Sequence, residues 1–404
     1  MQTVVPESVG FSSARLSRIN ALMQGYVDHK DLPGILTTLS CRGKTIHLAK
    51  CGDMDIEAGK PMEFDAIFRI ASMTKAITSI AMMMLYEEGI FNLNTPVERF
   101  LPGFKDAKVV VKETPGGPEL ADLDRPVTMR HLFTHTAGLS YGWDENDPVD
   151  KLYRAAQKEA EESKQPMTLK NLVETLSRLP LAFQPGTHWR YSYAIDVLGY
   201  LVELISGLSL DQFLAQRIFA PLGMVDTAFY VPEEKASRLA AVYTHRPGQE
   251  GFQRMDIPLQ TTLPSFLSGG GGLFSTLHDY GRFAQMLVNG GELDGVRLLS
   301  PTTVAMMEMN QAPTEALPYS FGKLDFNHIG YGYGLGMRVL VDVAQSGLAG
   351  SVGEFGWDGA FNTYFWIDRK EALYGLLMTQ HSPNAYYPVA QQFKQLVYQA
   401  MVEG

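Results

Sequence analysis

Arg69 to Leu85 reads R-I-A-S-M-T-K-A-I-T-S-I-A-M-M-M-L. The helix this run predicts is apolar on every face, yet it carries Lys75 three residues after Ser72. Burying an ammonium without a partner is costly enough that such a lysine gives up its proton or takes a role. Gly89 supplies a C-cap, so the helix spans about Ser72 to Glu88. A helix apolar all round runs through a core, here between two lobes. Ser72 opens it, where free N–H groups and the positive end of the dipole face a cleft. The i, i+3 spacing sets Lys75 beside the Ser72 hydroxyl. A lysine desolvated there falls in pKa toward neutrality and can take the proton an alcohol must shed before it attacks an ester or amide. The bland alternative is a capping serine and a lysine that snorkels to the surface.

Outward from this helix, both chain ends contribute to one α/β unit, residues 1–104 and 261–404. Leu16, Ile19, Leu22 and Met23 give a first helix its apolar spacing, and "GILTTLSCRGKTIHLAKCG" reads as a β-hairpin turning at Arg42-Gly43-Lys44. Near the other end "GYGLGMRVLVD", "FNTYFWID" and "ALYGLLMTQ" are strand-like, and "PVAQQFKQLVYQAMVEG" is a terminal amphipathic helix. The expectation is one antiparallel sheet faced by both terminal helices. Residues 105–260 read as an inserted helical domain, with the ligand cleft between the two.

Composition narrows the function. The 404 residues are 45% apolar and 19% charged, an ordinary globular balance, and the net charge of -10 argues against nucleic-acid and anionic-membrane partners. Small uncharged or cationic ligands suit it better. The N-terminus lacks the pattern of a signal peptide, and no apolar run reaches the roughly 20 residues that span a bilayer. The hairpin sets Cys41 opposite about residue 45 and Cys51 opposite about residue 35, so the two cysteines do not pair, which suits a cytoplasmic location.

Two further features bear on Ser72. In "QPGTHWRYSYAIDVLGYLVELISG", Ser192 is placed to cap an apolar helix ending before Gly207, and Tyr191 stands just outside its start, its phenol facing out of the helical domain. The alternative is an ordinary core or surface tyrosine. In "GEFGWDGAFNTYFWID", Gly359 and Ala360 open a strand that could aim an N–H at a carbonyl oxygen and complete an oxyanion hole with the N–H of Ser72. The alternative is a plain glycine bend.

Together with "MRHLFTHTAGL" and "SGGGGLFSTLHDYGRFAQML", these segments resemble the serine β-lactamase and penicillin-binding-protein superfamily, closest to the class C-like family VIII carboxylesterases. The resemblance implies a β-lactamase-like α/β fold with an all-helical insertion, a serine acyl-enzyme mechanism and no metal or cofactor. It makes Ser72 the nucleophile, Lys75 and Tyr191 the proton-transfer pair, and the amides of Ser72 and Ala360 the oxyanion hole. Two departures disfavour lactamase activity. Tyr193 stands where that family's Y-x-N motif has Asn, and Trp357-Asp358-Gly359 replaces Lys-Thr-Gly, offering a carboxylate only an indole N–H and the repelling charge of Asp358. Phe133, Tyr141, Tyr331 and Phe361 suggest an aromatic pocket lining, to which Tyr193, Trp357, Asp358 and Gly359 add.

Three patterns point elsewhere. Gly138-Leu139-Ser140-Tyr141-Gly142 matches the G-x-S-x-G nucleophile elbow, but a helix-like segment precedes it where that elbow needs a strand. His131 and His135 have zinc-pair spacing without the Glu of H-E-x-x-H. Ser268 to Gly272 looks like a phosphate loop but lacks G-K-[ST]; Thr276 and Asp279 form a capping box, leaving the glycines as a tight connection. The leading expectation is a metal-free serine esterase acting on small short-chain esters. A β-lactamase, peptidase or acyltransferase could use the same machinery, and a non-turnover penicillin-binding sensor is the reading from another class.

Overall fold

The hairpin at Arg42-Gly43 sets the register of the sheet: Cys41 faces Lys44, and Ile35 faces Cys51. The computed structural model describes residues 2–164, 166–245, 251–321 and 328–403. Strands β1 (Gly34–Cys41), β2 (Lys44–Asp55) and β3 (Lys60–Pro61) come from the N-terminal part of the chain. Strands β4 (Tyr331–Tyr333), β5 (Arg338–Leu340), β6 (Phe355–Asp358), β7 (Tyr364–Asp368) and β8 (Leu373–Met378) come from the C-terminal part. All eight form one antiparallel sheet in the order β4-β5-β6-β7-β8-β1-β2-β3. The two chain ends meet where β1 lies against β8, Leu36 opposite Met378.

Both central strands are buried on both faces, so β1 reads as a nearly continuous apolar and threonine run. One face carries helices α1 (Ser13–Asp28) and α5 (Val389–Tyr398), whose Ile19 and Phe393 pack with Trp366 and Leu377. Helix α2 (Thr74–Glu87), preceded by a 3₁₀ turn at Ala71–Met73, lies in the core on the other face; every residue from Thr74 to Leu85 is buried. Each Ile, Leu or Met so enclosed contributes about 1.5–3 kcal/mol, and this is the burial that Lys75 must share.

The structure corrects three expectations. The middle of the chain holds helices α3 (Met129–Phe133) and α4 (Ala194–Ser206), but it is not wholly helical: Lys108–Thr114 pairs with Gly117–Asp122, driven by three successive valines and a Gly116-Gly117 turn. "GYGLGMRVLVD" makes two strands, β4 and β5, because the glycine-rich Gly334–Met337 segment turns between them. Gly359 and Ala360 do not open a strand. They follow β6, and β7 begins only at Tyr364, because the Gly359 N–H bonds back to the Thr363 carbonyl and Asn362 takes a left-handed φ of 63°. Among the described residues, no single helix is long and apolar enough to cross a membrane.

Candidate active site

The chain enters α2 under strain. Ala71 has a φ of 43°, unusual for a residue with a Cβ, and the surroundings hold it there: Tyr280 donates to the Met73 carbonyl at 3.0 Å, and the Leu273 N–H donates to Thr74 Oγ1 at 3.1 Å. Ser72 is presented at this corner. Lys75 Nζ, fully buried, lies 3.1 Å from Ser72 Oγ and donates to the Gly270 carbonyl at 2.6 Å. Burial pulls the Lys75 pKa down to about 7, although the charges of Asp196 and Asp358 oppose the fall. A neutral amine keeps a lone pair, so one N–H anchored on Gly270 leaves that lone pair for the serine proton.

Sequence reasoning missed Asp196 in the first turn of α4, also buried. Its Oδ1 accepts from Ser268 Oγ at 2.6 Å and from the Gly270 N–H at 3.0 Å. A Cβ on Gly270 would stand 2.4 Å from Asp196 Oδ2, so only glycine lets this loop reach the carboxylate and turn its carbonyl to Lys75. Burial raises the Asp196 pKa while Lys75 opposes the rise. The phosphate-loop lookalike at Ser268–Gly272 thus orients the lysine. The available signal was an acid among Ala, Ile, Val and Leu, the same oddity as Lys75, masked because an acid in a helix's first turn has an ordinary dipole reading.

Tyr191 stands before α4, its ring centroid 4.5 Å from Lys75 Nζ. Tyr193 takes the N-cap position of the helix, but Ser192 Oγ, one residue earlier, still accepts from the Ala194 N–H of its first turn at 3.4 Å and pairs with His135 Nδ1 at 3.2 Å. Burial raises the Tyr191 pKa, opposed by hydrogen bonds involving Ser72 and Trp357, so the phenol keeps its proton. Trp357 was expected to touch substrate. It is instead 1% exposed, lies behind the phenol and donates from Nε1 to Tyr191 Oη at 3.2 Å.

A cavity of about 840 Å³ opens over these groups. Tyr141, Tyr193, Tyr331, Asp358 and Ala360 line it, whereas Phe133, Trp357, Gly359 and Phe361 do not. Phe133 is fully buried because α3 packs its apolar side against the domain core. The Phe361 backbone is taken up by His381, whose N–H donates to the Phe361 carbonyl at 3.1 Å. Gly359 acts through shape: a Cβ there would meet Ile70 O at 2.5 Å, and Thr363 Oγ1 donates to the same carbonyl at 3.3 Å. The turn is thereby pressed against the segment leading into Ser72, and Ala360 and Ser72 face one cavity. Missed as well was Trp143, 60% exposed and stacked on Tyr141 at 4.7 Å on the cavity wall. Asp358 is not a free repelling charge, because Arg338 Nη1 donates to its Oδ2 at 3.1 Å.

The lookalikes are occupied. Ser140 donates to Asp150, and its N–H donates to Tyr153 Oη at 3.2 Å; it follows α3, not a strand. His131 Nδ1 accepts from the Thr128 N–H at 3.1 Å in a capping arrangement. His135 packs its ring 4.8 Å from that of Tyr191, and burial holds it neutral. Among the described residues, no cluster of three or more His, Cys, Asp or Glu is placed to hold a metal ion.

The β-lactamase family matches residues 19–399. An uncharacterized protein of Mycobacterium tuberculosis is 37% identical over 360 residues, 87% of each chain. Esterase EstB of Burkholderia gladioli is 30% identical over 396 residues, 93% of each. Simvastatin synthase LovD from Aspergillus terreus superposes with a TM-score of 0.82 at 24% identity, over 97% of this chain and 100% of that one.

Proposed function

Since the chain belongs to the β-lactamase family and is a hydrolase with esterase relatives, we propose that it is a carboxylesterase that cleaves small short-chain esters through an acyl-enzyme on Ser72. The observation that carries this reading is the contact between Ser72 Oγ and a lysine whose pKa burial has lowered to about 7. Lys75 takes the hydroxyl proton as Ser72 Oγ bonds to the ester carbonyl carbon, and the oxyanion is met by the N–H groups of Ser72 and Ala360. Tyr191, still protonated, donates to the departing alkoxide as the C–O bond breaks and is recharged from Lys75. Water then repeats the steps in reverse roles, releasing the acid and restoring Ser72. The free Cys41 and Cys51 fit a reducing, cytoplasmic setting.

The reading is tested by intact-mass spectrometry with a serine-directed phosphonate, which should add one label to the wild type and none to Ser72→Ala. p-Nitrophenyl esters from acetate to palmitate should be cleaved best between about C2 and C6, since aromatic rings wall the chamber. A labelled or active Ser72→Ala removes the nucleophile assignment. Faster palmitate than butyrate turnover removes the short-chain one.

A further inference from the structure

The cavity does not end at the aromatic chamber. It continues past Ala360, around the end of β6, to a wall that includes Arg338, Asp358, Tyr364, Ala390 and Gln391. Phe355 and Trp357 of β6 face the α2 core, so Gly356 and Asp358 face the other way. Arg338 sits opposite Gly356 and Tyr364 opposite Asp358, which places all three on the α5 side of the sheet. Arg338 is only 7% exposed and still reaches the cavity, its guanidinium 5.0 Å from the Tyr364 ring and 5.7 Å from that of Tyr331. Burial disfavours its charge, and the carboxylate of Asp358 opposes that loss. Of the five N–H groups a guanidinium carries, one is engaged, by Asp358, among the described residues. Ala390 and Gln391 belong to the first turn of α5, so the positive end of that helix meets the same space.

We propose that this annex is a carboxylate subsite, centred on Arg338, that selects substrates bearing an acid group on a flexible tether from the reacting ester, such as monoesters of dicarboxylic acids. The inference rests on the esterase reading. A buried guanidinium with free donors, roofed by tyrosines and shared with one aspartate, can bridge a second carboxylate in a planar, bidentate way that a neutral ligand cannot match. Asp358 tempers the site by taking one of the guanidinium's donors and offsetting part of its charge, so the ion pair sets how strongly acids are preferred. The carboxylate of a β-lactam is fixed on its ring close to the scissile bond and so lacks the flexible tether this subsite requires.

The test pairs methyl monoesters of succinate through suberate with their neutral terminal amides and reads methanol release as a ratio of kcat/KM values within each protein. At one or more chain lengths the wild type should prefer the acid by roughly tenfold. Asp358→Asn should widen that ratio and Arg338→Gln should collapse it toward one; added salt should narrow it. A ratio near one at every length, or a ratio that Asp358→Asn leaves unchanged or lowers, overturns the proposal, and the second measurement stands even if Arg338→Gln does not fold. If no ester is turned over at all, calorimetry of the same pairs with Ser72→Ala separates the two readings. Tighter binding of the acid keeps the subsite while the esterase assignment falls, and equal binding ends both.

Discussion

Replacing Lys75 by Met should stabilise the protein by an amount that depends on pH, while abolishing activity. In the unfolded chain Lys75 titrates at its ordinary 10.5, and in the folded protein at about 7. The unfolded state therefore binds the extra proton throughout the window between these values, and wild-type stability is lost as pH falls through it. With 1.36 kcal/mol for each pKa unit, the cost of enclosing Lys75 is about 5 kcal/mol at pH 6, about 3 at pH 8 and about 1 at pH 10. Methionine has similar length and no charge, so its stability carries none of this dependence. It does strand the Gly270 carbonyl that Lys75 now satisfies, at about 1–3 kcal/mol, but that penalty is the same at every pH. Urea unfolding of both proteins at pH 6, 8 and 10 reads the lysine together with Asp196 and His135, the two groups whose titration its charge shifts, since groups not coupled to it cancel in the difference. The variant's advantage should shrink by about 4 kcal/mol from pH 6 to pH 10. A difference that stays flat across this range would refute a neutralised lysine, and with it the base assigned to Ser72.

Other outcomes follow from the same contacts. Ester kcat/KM should rise through about pH 7 as Lys75 loses its proton, and Asp196→Asn, which removes a charge that favours the ammonium, should move this limb to lower pH; a limb that moves upward contradicts the assigned coupling. Tyr191→Phe should reduce kcat by roughly 100-fold or more, whereas Ser140→Ala should keep most activity while losing stability, because Asp150 loses a buried donor. A dead but folded Ser140→Ala would transfer the nucleophile to that loop. A chromogenic cephalosporin should be cleaved with kcat/KM well below that of a butyrate ester, since Trp357, which the resemblance sets in place of the lactamase lysine, is buried behind Tyr191 and offers the ring carboxylate no cation; equal efficiencies would show that another cation holds it.

What could be read in the sequence was whatever broke a local rule. Lys75 in an otherwise apolar helix, glycines in clusters, and hydrophobic runs near both termini each carry their signal within a few residues. What could not be read depends on which way a side chain faces once elements pack. Phe133 and Tyr141 are both aromatic and lie eight positions apart, yet α3 buries the first in the domain core and the following loop brings the second to the cavity. Trp357 and Asp358 are adjacent, and strand alternation sends one behind Tyr191 and the other round to Arg338. Arg338 carries no such signal, since an arginine ending a glycine-rich run breaks no local rule. Its partner lies 20 positions away, and only the β5–β6 register brings the two together.

The turn from Gly359 to Thr363 shows why fold and site are hard to vary separately here. It ends β6, leads into β7, and presses against the Ile70 carbonyl two residues before Ser72. Ala360 faces the chamber from this turn, Asp358 before it faces the annex, and Asn362 within it donates to the Pro383 carbonyl at 3.4 Å and accepts from the Ala385 N–H at 2.9 Å, fixing the segment that rims the annex. A change that loosened the turn would displace the Ala360 amide, proposed to meet the oxyanion, and the ion pair at once. A substitution confined to Arg338 or Asp358 leaves the turn's own hydrogen bonds in place, so on the proposed mechanism it should alter which ester is chosen without dismantling the groups proposed to cleave it.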